Sequence, residues 1–330
     1  MFEHLGRFIA AAVIAVLAGL PAAGALAQSA AAFPSRPITM IVPFPAGGGT
    51  SDLVARVIAQ KLSEAWGQPV VVENRPGASG NIGAALVAKA PPDGHTLLIA
   101  AAAISTAPAL YKDPGFRLFE NLTPVTVIGT VPFMLVVHPS LPVENVAQFV
   151  DYAKKHPDKL SLGSGGNGTI PHLGGELFKM RAGIQFAHVP YKGGILAMND
   201  LVGGQIQFTI DGGSHVVTQI DAGRIRLLAV TGAERLPAYP NVPTLMESGY
   251  PGYEASAWQM LLVTGGTPKP IVDKIQQEVA KALHSRDLSE RLIKLGIQPS
   301  GVTPGEADAF LRKEMNKWGE VVRVTGAKID

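Results

Sequence analysis

The sequence predicts an α/β protein of two lobes joined by a hinge, and three observations predict it. β-Branched strands alternate with amphipathic helices between Ile38 and Ala103. A strand, a glycine-rich loop and a helix start recur in that order near Ser164. A proline-rich stretch at 237–251 then precedes amphipathic helices that most simply pack back on the first lobe. Strands alternating with helices argue a parallel sheet covered on both faces, with ligands bound beyond the C-terminal ends of its strands. Two crossings between lobes suit a hinge.

The elements follow from periodicity and punctuation. Residues 38–42 are a β-branched strand stopped by Pro43 and Pro45, and 52–66 carry Leu53, Val54, Val57, Ile58 and Leu62 at helical spacing. A strand at 70–73, a helix at 81–90 and a strand at 96–101 follow, the last two separated by the Pro91-Pro92-Asp93-Gly94 turn. Loops 44–51, 74–80 and 102–106 all emerge on one sheet edge. In the second unit a strand at 133–138, a helix at 146–156 and a strand at 160–163 lead into a helix at 170–181. Next come a helix to about 202, a strand at 206–210 ending at Asp211, a helix to 222 and a strand at 225–230 leading out. After 258–264 the chain is helical at 271–284, 288–295 and 305–322. The implied division is 33–131 with 251–330 as the first lobe and 132–250, crossing segments included, as the second.

Composition bounds the function. With 330 residues, 47% hydrophobic and 16% charged, the chain has a core large enough for two domains, and a net charge of +2 gives no field for a nucleic-acid partner. Residues 1–27 read as a signal peptide: Arg7, an apolar run at 8–20, Pro21, and Ala25-Leu26-Ala27 before cleavage after Ala27. A count of 0 Cys excludes disulfides, thiolate metal sites and a lipid on an N-terminal cysteine. The mature protein is therefore expected to be soluble in a bacterial periplasm.

The stretch Val42-Pro43-Phe44-Pro45-Ala46-Gly47-Gly48-Gly49-Thr50-Ser51-Asp52 organises the chain. Three glycines clear the approach to backbone N–H groups, and Thr50 or Ser51 can cap the following helix and donate a hydroxyl. A helix start behind such a loop favours an anion. No lysine follows at P-loop spacing and no GxGxxG is formed, which disfavours a nucleotide. Ser164-Gly165-Gly166-Asn167-Gly168-Thr169 repeats the logic in the second unit, so two helix starts facing each other could hold a dicarboxylate at both ends.

Single residues carry two readings each. Asp52 and Asp211 either touch a ligand or complement a helix start, and Trp258 either lines the cleft or fills the lobe junction. Tyr191-Lys192 reads as a turn, and His172, His188 and His215 match no metal-ligand spacing. Ser79, Ser164 and Ser214 have glycine neighbours but no GxSxG, and no triad or acid/base carboxylate pair stands out, so neither an enzyme nor a cofactor nor a metal is expected.

Phe33-Pro34-Ser35-Arg36-Pro37-Ile38 with the glycine-rich stretch, Glu73-Asn74-Arg75-Pro76-Gly77-Ala78, Pro92-Asp93-Gly94-His95-Thr96-Leu97, His188-Val189-Pro190-Tyr191-Lys192-Gly193 and Pro240-Asn241-Val242-Pro243-Thr244 together resemble the Bug family. These are the periplasmic solute receptors related to the TctC component of tripartite tricarboxylate transporters. The resemblance implies a type II periplasmic binding protein, or Venus flytrap, that binds a small carboxylate monomerically and serves membrane transporter components. A ligand sensor presenting its closed form to a signalling partner is the alternative. Carried over, the ligand-binding set is Phe44, Ala46, Gly47, Gly48, Thr50, Ser51, Asp52 and Ser79 from the first lobe, and Ser164, Asn167, Gly168, Thr169, His172 and Asp211 from the second. The usual glycine-to-acid spacing here contains an extra small residue, so Ser51 or Asp52 takes the acidic position.

Overall fold

The apolar, β-branched run of β1 (Ile38–Val42) lies at the heart of a six-stranded sheet, flanked by β2 (Val70–Asn74) and β3 (Thr96–Ala101), both parallel to it. A computed structural model describes residues 33–47 and 50–327. The signal-peptide reading of 1–27 and the candidate Gly48 lie outside the described residues.

The sheet is not purely parallel as the alternation predicts. β10 (Ser256–Thr264) returns from far along the chain and inserts antiparallel between β3 and β4 (Leu122–Pro132), with β11 (Gln298–Pro299) on the outer edge, giving the order β11-β4-β10-β3-β1-β2. β4 contains Pro124, Gly129 and Pro132, residues that ordinarily break strands. The ladder accommodates them with two register shifts opposite β10, where a bulge relieves the missing donor.

The second sheet is mixed in the same way. β6 (Ser161–Ser164) pairs parallel with β7 (Ala187–Pro190) and β8 (Phe208–Asp211), while β5 (Met134–Val137) runs antiparallel to β8 and β9 (Arg226–Val230). Its order is β7-β6-β8-β5-β9.

Helices cover both sheets. α1 (Thr50–Trp66) buries Val54, Ile58 and Leu62 against one face of the first sheet, and α2 (Asn81–Ala88) buries Ala84 and Val87 on the other. Close packing there requires Gly83, since a Cβ at that position would stand 2.8 Å from Pro43 at the exit of β1. Residues 102–106 fall largely in a helix, α3 (Ala103–Leu110), instead of the expected loop. Buried Ile104 and Ala107 decide this, packed under the C-terminal helix against the local preference of Ser105, Thr106 and Pro108.

After the single turn α4 (Leu118–Asn121), α5 (Val146–Lys155), α6 (Ile170–Ala182), α7 (Gly194–Val202) and α8 (Ser214–Asp221) belong to the second unit. α9 (Lys269–Leu283), α10 (Arg286–Lys294) and α11 (Pro304–Thr325) return to the first sheet, and α11 also touches α6. One apolar cluster runs from Trp258 and Trp318 through to Phe149, Phe178 and Phe208 of the second sheet. Tyr253, fully buried in the crossing segment, fastens this junction by donating its hydroxyl to the Gly174 carbonyl of α6 at 2.8 Å. Trp258 fills the junction, being 1% exposed with its indole N–H bonded to Glu314 of α11.

Candidate functional site

At the C-terminal edge of β1 the chain turns at Pro43 and enters α1 through the glycine-rich loop. A cleft of about 550 Å³ opens there, lined on one wall by Gly47, Thr50, Asp52 and Arg56 and on the other by Gly212, Gly213 and His215. This volume falls in the ordinary range for small-molecule sites. The cleft thus sets the start of α1 opposite the start of α8. Gly213 caps α8 and, being glycine, supplies no side-chain acceptor to its first N–H groups.

Asp52 is the keystone of the first wall. Its carboxylate accepts hydrogen bonds from the Gly47 N–H at 2.9 Å, Arg56 Nε at 2.9 Å, Arg56 Nη2 at 3.0 Å and Asn74 Nδ2 at 2.8 Å. These four donors fill the acceptor positions of a carboxylate. Asn74 Nδ2 also reaches the Phe44 carbonyl at 3.0 Å, tying the loop to β2. The Arg56 guanidinium is the main reason that the Asp52 carboxyl falls to about 2. Asn74 and the Gly47 amide act in the same direction, against burial.

Because the folded value lies below the usual 3.8, this stabilisation is full above that pH and disappears as pH falls toward 2. Asp52→Ala is expected to cost roughly 1–2 kcal/mol, discounted because Arg56 is half exposed, and to loosen the loop. Denaturation at pH 7 compared with pH 2.5 checks this: the variant's deficit should shrink at the lower pH.

Behind the second wall Asp211, which does not itself line the cleft, is 8% exposed. Its Oδ1 accepts the Gly212 N–H at 2.8 Å, and its Oδ2 lies 3.2 Å from His215 Nε2. Gly194 at the start of α7 packs so near that a Cβ there would stand 2.4 Å from Asp211 Oδ2. The carboxylate therefore sits against the positive ends of α7 and α8.

The second glycine-rich loop forms a separate group that does not line this cleft. Thr169 donates its hydroxyl to the Gly166 carbonyl at 2.7 Å, and Ser164 Oγ lies 2.7 Å from His188 Nε2 while accepting the Gly166 N–H at 3.2 Å. Gly168 donates its N–H to His172 Nδ1 at 3.0 Å, and the His172 and His188 rings stack at 3.9 Å. Both hydroxyls are thus engaged, Thr169 by the loop's own Gly166 and Ser164 by Gly166 and by His188 of β7, and Asn167 sits half-buried at the turn. Tyr191 donates its hydroxyl to Asp200 at 2.7 Å and its N–H to the Ser164 carbonyl, shaping the neighbouring turn.

A third group stands at the same edge of the first sheet. Ala78 and Ser79 have φ of 47° and 54°, a conformation that costs non-glycine residues energy and clusters at functional loops. Tyr111 donates its hydroxyl to Ser79 Oγ at 3.0 Å. Among buried polar atoms lacking any hydrogen bond, Asn81 Nδ2 and Gln259 Oε1 belong to this edge, Gln259 standing opposite Ala101 at the end of β3. Neither residue was selected from the sequence, where Asn81 reads as an ordinary helix start and Gln259 as one strand residue among many.

A family model described as the tripartite tricarboxylate transporter family receptor, TctC, matches residues 54–327. The chain belongs to the TctC family. Among TctC relatives, protein BugT of Bordetella pertussis (strain Tohama I) is 37% identical over 327 residues, covering 98% of this chain and 97% of BugT. The fold is similar to Rpa4515 of R. palustris, solved with adipate, with TM-score 0.74 and 39% identity over 90% of this chain and 100% of that one. It is also similar to the periplasmic binding protein BugD, with TM-score 0.71 and 36% identity over 90% of this chain and 99% of that one. The resemblance to the Bug family seen in the motifs is thereby confirmed, as is the two-lobed α/β fold of periplasmic binding proteins. Among the described residues no helix is long and apolar enough to cross a membrane.

Proposed function

We propose that the protein is a periplasmic receptor that takes a small carboxylate-bearing solute between its lobes and delivers it to a membrane transporter. The observation that carries this reading is the opposition of the α1 and α8 starts across the cleft, with Thr50, the outer edge of Arg56 and His215 between them. Helix starts favour negative charge by about 0.3–1 kcal/mol each, and a hydrogen bond to a charged group adds roughly 1.5–3 kcal/mol. The adipate bound by Rpa4515, at 39% identity, and the family's description as a transporter receptor support the same class. In this reading 33–131 with 251–327 move against 132–250, and a ligand touching both walls favours the closed arrangement.

Calorimetry and thermal shift on the mature chain, against adipate, succinate, citrate, benzoate and hexanoate, test the proposal. At 100 times the dissociation constant a true ligand should stabilise the fold by about 2.7 kcal/mol. Absence of any heat or shift across the panel would count against a carboxylate receptor.

A further inference from the structure

We infer that Asn81, with the start of α2, is a second carboxylate anchor on the first lobe, donating its side-chain N–H to an oxygen of the bound solute. The inference rests on the carboxylate-receptor reading and adds a residue and a subsite to it. Asn81 is 4% exposed, and its Nδ2 makes no hydrogen bond. An amide donor buried without an acceptor is costly, and native folds rarely keep one without a use.

The donor is also in a place where a use is available. Asn81 borders a small cavity of about 10 Å³ together with Phe44, Ser79, Gly80 and Ala101, at the C-terminal edge of β1 and β3. That space suits about one water-sized group, hence one oxygen atom and not a whole ligand. Gly80 caps α2 and, being glycine, supplies no side-chain acceptor to its first turn, where the Asn81 backbone N–H donates to the Ala78 carbonyl. The strained Ala78-Ser79 turn delivers the chain to this position, and Tyr111 holds Ser79 in it.

The chemistry selects the partner. An amide N–H and an uncapped helix start both require an acceptor, and both favour a negative one. The group received here is therefore an acceptor oxygen, and on the carboxylate-receptor reading it is one of the solute's carboxylate oxygens.

Asn81→Ala separates this role from a structural one. Removing a buried donor that has no partner, at the first position of a helix, should leave the ligand-free melting temperature unchanged or raised. The same change should weaken glutarate and adipate binding at least tenfold by calorimetry. Asn81→Asp, nearly the same shape but an anionic acceptor, should lose at least a further tenfold. If Asn81→Ala keeps wild-type affinity, or lowers the melting temperature while binding persists, the amide serves the fold and the inference fails alone. If the wild-type protein binds none of the carboxylates, the inference and the receptor reading fall together.

Discussion

Taking the protein from pH 7 to pH 4 is expected to remove roughly 3 kcal/mol of stability through one side chain, His172. Burial, reinforced by the positive charge of His188 and Lys179, lowers the His172 imidazole from its usual 6.5 to about 4. The geometry agrees, since Nδ1 accepts the Gly168 N–H and must be unprotonated to do so. The unfolded chain takes up this proton first, so the stabilisation is complete above pH 6.5 and is lost as pH falls from there toward 4. His188, lowered by burial and Lys179, adds in the same direction. Glu176, whose pKa burial raises, and Lys179 are the charged neighbours on α6.

Protonation would place like charge between stacked rings and release Gly168, so the loop at 164–169 should loosen before the rest of the molecule. Urea denaturation from pH 4 to 8 should show a steep rise in stability with pH, flattened in His172→Asn, whose side-chain oxygen can still accept from Gly168. An imidazole resonance for His172 that titrates near 6.5 by NMR would contradict this account.

The second large effect is expected at Glu314. This residue is 2% exposed and accepts the indole N–H groups of Trp258 at 3.0 Å and Trp318 at 2.9 Å, while Lys317 closes on its other oxygen. Lys317 also donates to the Glu254 carbonyl of the crossing segment at 2.9 Å. Glu314→Ala would strand two buried donors and leave an ammonium without its carboxylate, a change that typically costs about 3–5 kcal/mol. Glu314→Gln retains one acceptor oxygen for the indoles but turns donors toward Lys317, so an intermediate loss of roughly 1–2 kcal/mol is expected. Chemical denaturation orders the three proteins; a Glu314→Ala variant within about 1 kcal/mol of wild type would refute the role.

Much of the fold was legible because strand and helix periods are local. Ile38–Val42, bounded by Pro43, and the apolar spacing of Leu53, Val54, Val57 and Ile58 announce their elements within a few residues. What escaped was decided at long range. The run at 122–132 carries Pro124, Gly129 and Pro132, residues that ordinarily break strands, yet β10 from far along the chain supplies its ladder. The Ala103–Leu110 helix is held by burial of Ile104 and Ala107 against its own sequence preference.

The site divides the same way. The glycine-rich loops could be found from composition, since runs of glycine with serine and threonine between a strand and a helix mark bare backbone. That Asp52 would be filled by Asn74, 22 residues away, could not be read locally, because it depends on β2 lying beside β1. Nor could the engagement of Ser164 by His188 and of Thr169 by Gly166, or the placing of the α8 start across from Thr50.

The antiparallel insertion of β10 also sets an order of assembly. Every strand of the second sheet lies between Met134 and Val230, so that unit has all its ladders as soon as this segment is available. The first sheet cannot close until Ser256–Thr264 arrives, since without it β3 and β4 present two unpaired edges to each other. A chain ending before residue 256 would carry a finished half and an open half, and the open half, with bare strand edges, is where self-association would begin.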